Sequence, residues 1–149
     1  MAKILHRISI DAPASAVHDL IARKEGIAAW WTGREVTGDP AVGGRLAMYF
    51  NGGGSPAAVM EVLSDAPDEI VWRCVEGPAD WLDTRITFAL KPAGDGATTL
   101  LFEHDGWLEP NEFMGGCTTN WGAYLTSLKS GAEGDAFRAY PHGEVSRWG

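Results

Sequence analysis

The chain has 149 residues, 45% of them hydrophobic and 21% charged, with a formal net charge of −8 and seven tryptophans. That length suits one domain burying roughly 70% of the surface its unfolded chain exposes, so neither a disulfide nor a metal is needed to hold it. The acidic balance, without any basic stripe, argues against binding nucleic acid and against docking on anionic lipid.

In chain order, residues 3–10 set Ile4, His6, Ile8 and Ile10 against Leu5, Arg7 and Ser9, the alternation of a half-buried strand. Asp11, Ala12 and Pro13 end it, and Pro13 can open a short helix over 13–23 with Val17, Leu20 and Ile21 on its apolar side. A second helical turn is expected from Gly26 to Trp31, broken by Thr32 and Gly33. Residues 34–105 then read as a meander, with strands over 44–51, 56–64, 69–75, 81–91 and 97–105. Turn signals separate them, among them Gly43-Gly44, Gly52-Gly53-Gly54 and Glu76-Gly77-Pro78. In 81–91, Leu82, Ile86, Phe88 and Leu90 oppose Arg85 and Thr87. In 97–105, Leu100, Phe102 and His104 oppose Thr99, Glu103 and Asp105. These patterns describe an antiparallel sheet covered on one face and solvated on the other.

The period changes after residue 110. Phe113, Cys117, Trp121, Tyr124, Leu125 and Leu128 form one apolar stripe, which predicts a long helix over 110–130 with Gly131 as its cap. Gly115 and Gly116 in its first turns either leave space at a pocket mouth or mark a late helix start. Residues 132–149 have no period but carry Phe137, Tyr140 and Trp148. They read as a tail, packed or disordered, behind a single domain of residues 1–131. No run approaches the ~20 apolar residues of a membrane span, and the first residues lack the apolar core of a signal peptide. Cys74 and Cys117 have no CxxC spacing and suit reduced thiols, so a cytoplasmic location is expected.

Specific strings carry a resemblance along nearly the whole chain. They are IDAPASAVHDLIA at 10–22, AWWTG at 29–33, GDPAVGGR at 38–45, VWRCVEGPADWLDTRITFAL at 71–90, FEHDGW at 102–107 and NWGAYLTSLK at 120–129. Together they resemble the AHSA1-like family, stand-alone domains similar to the C-terminal domain of the activator of the heat-shock chaperone ATPase. The wider superfamily is START-like and polyketide-cyclase-like. The resemblance implies an α+β helix-grip fold. In it, a curved antiparallel sheet of about six strands wraps a long C-terminal helix, with two short helices after the first strand. It also implies a site for a small hydrophobic ligand or, from the family's name, a chaperone partner and a part in stress response.

In such a fold Met48, Phe50, Trp72, Cys74, Phe88, Phe102 and His104 should point inward from the sheet. Phe113, Cys117, Trp121 and Tyr124 would face them from the helix, with Trp30, Trp31, Trp81 and Trp107 closing the ends. These side chains form either a packed core or the wall of a site for a small apolar molecule; an open cavity above ~300 Å³ would favour the site. His104 is either a hydrogen-bonded core residue or a general acid/base of a cyclase- or hydrolase-type enzyme, assisted by Tyr124 or Glu61. Glu61, Asp83 and Arg85 stand either at the pocket rim or on a solvated strand face. Cys74, Cys117, His104 and His6 lack ligand-pair spacing, so no metal is expected. Cys117 with His104 would need a third orienting group to act as a nucleophile pair. No phosphate loop or dinucleotide fingerprint occurs, so no cofactor is expected. A homodimer through sheet edges or the aromatic tail stays open.

Overall fold

The alternation read from the sequence places every second side chain of the meander on one face, and the register of the sheet makes those side chains meet. In the computed structural model, which describes residues 1–51 and 54–147, seven strands lie in the order β1-β7-β6-β5-β4-β3-β2. They are β1 (Ala2–Ile10), β2 (Thr37–Gly38), β3 (Arg45–Met48), β4 (Ala58–Ala66), β5 (Glu69–Glu76), β6 (Arg85–Pro92) and β7 (Thr98–Trp107). All pairings are antiparallel. Ile4, His104, Ile86, Trp72 and Val62 are successive cross-strand partners, so one row of side chains runs across five strands on the inner face. His6, Phe102, Phe88 and Ile70 make the next row.

Three helices complete the chain: α1 (Ala14–Ala22), α2 (Lys24–Ile27) and α3 (Glu112–Ala132). The Asn111 side chain accepts a hydrogen bond from Met114 N at 2.9 Å and so caps α3 at its start. The stripe Cys117, Trp121, Tyr124, Leu125 and Leu128 is buried, as its spacing required. It packs on the inner face of the sheet, burying apolar area on both layers. Among the described residues no helix is long and apolar enough to cross a membrane.

Four local expectations are corrected. The sheet has a seventh strand, β2, which is only two residues long and lacks an alternating pattern. The strand expected from residue 81 begins at Arg85; Ala79–Trp81 form a 3-10 turn, and Asp83 has φ 65°. Leu82 is consequently half exposed rather than part of the inner row, whereas Thr99, expected outside, is buried. Gly131 does not cap α3, which continues to Ala132 and stops at Glu133. A β-carbon on Gly131 would run into the ring of Phe137, so this glycine serves packing instead. The predicted turn at Gly52 and Gly53, and Trp148, lie outside the described residues.

The tail returns to the body. Tyr140 N donates to Trp31 O at 2.9 Å and Arg138 N to Ser127 Oγ at 2.7 Å. α3 begins early, at Glu112, and Gly116 in its second turn makes room for Ser146 of the tail, whereas a β-carbon on Gly115 would meet nothing. Gly33 combines a positive φ of 70° with a backbone that lies against the Tyr140 carbonyl, where a side chain has no space.

Candidate functional site

The site is assembled by four segments that meet at one end of the inner face. After α2 the helix widens into a single π turn, Ala28–Thr32, which sends Trp30 and Trp31 to different neighbours. Trp30 Nε1 donates to Leu20 O at 2.8 Å and its ring meets Phe88 edge-on, so it is a core residue tying α1 to the sheet. Trp31 instead approaches Trp121 at 4.9 Å and Phe50 at 5.5 Å between ring centres. The 3-10 turn supplies Trp81, stacked on Trp121 at 6.0 Å. The tail supplies Tyr140, whose ring meets Phe50 edge-on at 5.3 Å.

These rings leave a cavity of about 150 Å³ between them. Its wall contains Trp31, Phe50, Trp81, Cys117, Trp121 and Tyr124, all expected from the sequence. Asn51, Ala57, Asn120, Tyr140 and Glu144 also line it and were not foreseen. Two of those five belong to the aperiodic tail, where no local pattern could have announced them. The other expected pocket residues are elsewhere. Met48, Trp72, Phe88, Phe102 and Trp107 are fully buried packing residues like Trp30, while Phe113 rests against Trp107 at 6.0 Å. The volume is half the ~300 Å³ set as the mark of a typical ligand pocket. It matches a cavity for one benzene-sized ring.

His104 does not reach this cavity. It is 0% exposed, and both ring nitrogens are engaged. An indole N–H can only donate, so Trp121 Nε1 at 3.2 Å from His104 Nδ1 leaves that nitrogen without a proton. The proton therefore sits on Nε2, which donates to Thr84 Oγ1 at 2.8 Å, and Thr84 in turn donates to Trp81 O at 2.6 Å. The relay ties together the helix, β7 and the 3-10 turn. It holds Trp121 and Trp81 as walls of the cavity, and His104 acts as a positioning residue. Burial drives its pKa down to about 3, so the ring stays neutral. That state leaves no accessible nitrogen for acid–base work on a molecule in the cavity, which removes the geometric basis of the enzyme reading. His6, in the neighbouring row, is likewise tied down, with Nε2 donating to Thr118 O at 3.1 Å.

The assisting groups are also dispersed. Glu61 pairs with Arg73 at 3.0 Å on the outer face of the sheet, and Asp83 joins the same arginine at 3.4 Å. Arg85 is exposed beyond them. Tyr124 does line the cavity, and burial, reinforced by Glu144 and Tyr140, pushes its phenol above the ordinary range. Burial raises the Cys117 thiol to about 11 against an opposing hydrogen bond with Trp81, so it is a neutral wall rather than a nucleophile. Cys74 is held at about 11 for the same reason and bonds to Glu76 O. Among the described residues, no three His, Cys, Asp or Glu side chains converge to hold a metal ion.

Asn120 closes the site. Its Oδ1 accepts from Val145 N at 2.9 Å and Ser146 N at 2.8 Å, while Nδ2 donates to Ser146 O at 2.7 Å. One side chain of α3 thus clamps the tail over the cavity. Asn120→Ala removes three hydrogen bonds worth about 1 kcal/mol each. It should raise amide exchange at Val145 and Ser146 by at least about tenfold while α3 and the sheet keep their protection. Unchanged exchange at those two amides would show that the clamp does not hold the tail.

A curved sheet closed by its C-terminal helix, with a ring-lined cavity at one end, defines a helix-grip domain. The chain belongs to the family of activator of Hsp90 ATPase homolog 1-like proteins, whose model matches residues 11–133. Among solved structures, the Aha1 dimer from Colwellia psychrerythraea is similar at 31% identity with TM-score 0.78, covering 89% of this chain and 97% of that one. CalU16 from Micromonospora echinospora shares the fold at 22% identity and TM-score 0.72, over 89% of this chain and 75% of that one. An HSP90 activator from Plasmodium falciparum does so at 16% identity and TM-score 0.66, over 84% and 93%. No curated protein sequence matches the chain.

Proposed function

We propose that this domain binds a small, mostly apolar molecule of about one ring in the cavity between the π turn, α3 and the tail. The observation that carries the reading is a cavity of about 150 Å³ walled by six aromatic side chains. The cavity opens in part to solvent, so a ring that enters it gains by removing apolar surface from water on both partners, roughly 25 cal/mol per Å². The START-like character of the fold supports the same class of function.

The test is a titration with phenol, followed through the indole N–H resonances of Trp31, Trp81 and Trp121. A seven-atom ligand should bind at about millimolar Kd and move these three signals together, leaving Trp30 unmoved. Saturating phenol that shifts none of them would refute the reading.

A second reading rests on the 31% identity to the Aha1 dimer. In it the domain is a dimeric module that acts on a chaperone ATPase. Leu5 and Leu101, 60% and 41% exposed on the outer sheet face, offer apolar contact for a second copy. Sedimentation at micromolar concentration and ATPase stimulation of a purified Hsp90 test the two parts separately. A monomer without effect on the ATPase would end this reading and leave the first intact.

A further inference from the structure

Among the described residues Glu144 is the one charged group in the cavity wall, and no lysine, arginine or histidine lines the space with it. Among the described residues its carboxylate makes neither an ion pair nor a hydrogen bond; only its backbone N–H is engaged, donating to Pro141 O. The side chain is half-buried, so solvent reaches it only in part. Its charge is felt inside, where it helps raise the Tyr124 phenol.

A half-buried carboxylate beside an aromatic wall discriminates between ligands of equal size. A neutral molecule filling the space strips water from Glu144 and returns at most a hydrogen bond, without a counter-charge. An anion adds like-charge repulsion from a chain already carrying −8. A cation gains twice, from the carboxylate and from the electron-rich faces of tryptophan and tyrosine, as in aromatic cages for alkylated ammonium groups.

We propose that the cavity is a site for a small organic cation, an alkylated ammonium group seated among Trp31, Trp81, Trp121 and Tyr140 with Glu144 as its counter-ion. This rests on the ring-binding reading above and names the chemical class of its ligand. Asn51, which accepts from the Tyr140 hydroxyl at 3.3 Å, places a further oxygen at the rim for a donor carried by such a ligand.

The test compares tetramethylammonium chloride with tert-butyl alcohol, which has the same number of heavy atoms and no charge, each at constant ionic strength set with sodium chloride. Affinities are read from the same indole N–H resonances. The expected result is binding of the ammonium ion about tenfold tighter than the alcohol. That ratio should fall several-fold in Glu144→Gln, which leaves only the aromatic faces to favour a cation, and persist in Glu144→Asp, which retains the charge. Equal affinity for the two probes, or a ratio unchanged in Glu144→Gln, would overturn the proposal. If phenol binds the wild-type protein while the ammonium preference is absent, only the cationic assignment falls. If phenol, tert-butyl alcohol and tetramethylammonium all leave the indoles unmoved, the cavity reading falls with it.

Discussion

Trp121→Ala is expected to destabilise the domain by roughly 3–5 kcal/mol, the range for truncating a large aromatic in a core. The ring is 2% exposed and sits 4.7 Å from Phe102, 4.9 Å from Trp31 and 6.0 Å from both Trp81 and His104. Its removal empties the centre of the cluster. It also takes away the hydrogen-bond donor that His104 Nδ1 has among the described residues, leaving a buried acceptor unsatisfied. Urea unfolding measures the loss. Leu108→Ala, at a side chain 86% exposed, provides the comparison and should stay within about 0.5 kcal/mol. The space created should also accept indole, so adding indole should recover part of the stability of Trp121→Ala by mass action. A loss below about 1.5 kcal/mol would mean that Trp121 is not the packing centre described.

Stability should also fall steeply with acid below neutrality, and His104 sets the window. Burial depresses its folded pKa to about 3 from the ordinary histidine value of about 6.5. Below pH 6.5 the unfolded chain therefore binds a proton that the folded chain refuses. The stabilisation is complete above 6.5 and is lost at about 1.4 kcal/mol per pH unit as pH falls toward 3. By about pH 4.5 the loss from this residue alone is about 3 kcal/mol. His6, whose pKa burial also lowers, acts in the same direction. In His104→Gln the urea midpoint should decline more gently over this interval, by about one proton's worth of slope. Ring-nitrogen shifts offer a second readout: at pH 5 His104 should still show a neutral imidazole protonated at Nε2. An imidazolium signal at that pH would contradict both the burial and the relay.

Much of the fold was legible because the strands are amphipathic at period two and α3 at three and four. Ile86, Phe88 and Leu90 lie inside because their alternation admits only one face toward the core. Leu82 continued that alternation in sequence yet stands half outside. The backbone turns at Asp83, and Thr84 bonds back to Trp81 O, a local closure that outweighs the pattern. The site was less legible. The inner face was correctly populated, but a cavity is what packing leaves over, and its position depends on contacts between distant segments. Asn120 meets Ser146 across 26 residues and Trp121 meets His104 across 17. No period encodes the tail, since its hold comes from Asn120 and from close seats at Gly33, Gly116 and Gly131. The long apolar run also made His104 look like a pocket residue, whereas the same alternation buries it behind Trp121.

The most direct test of the ring-lined cavity is a crystal of this protein soaked in bromobenzene, with bromine located by its anomalous signal. The account predicts one bromine site among Trp31, Trp81, Trp121 and Tyr140. Well-diffracting soaked crystals with no bromine there, and the indoles closed on one another, would contradict it.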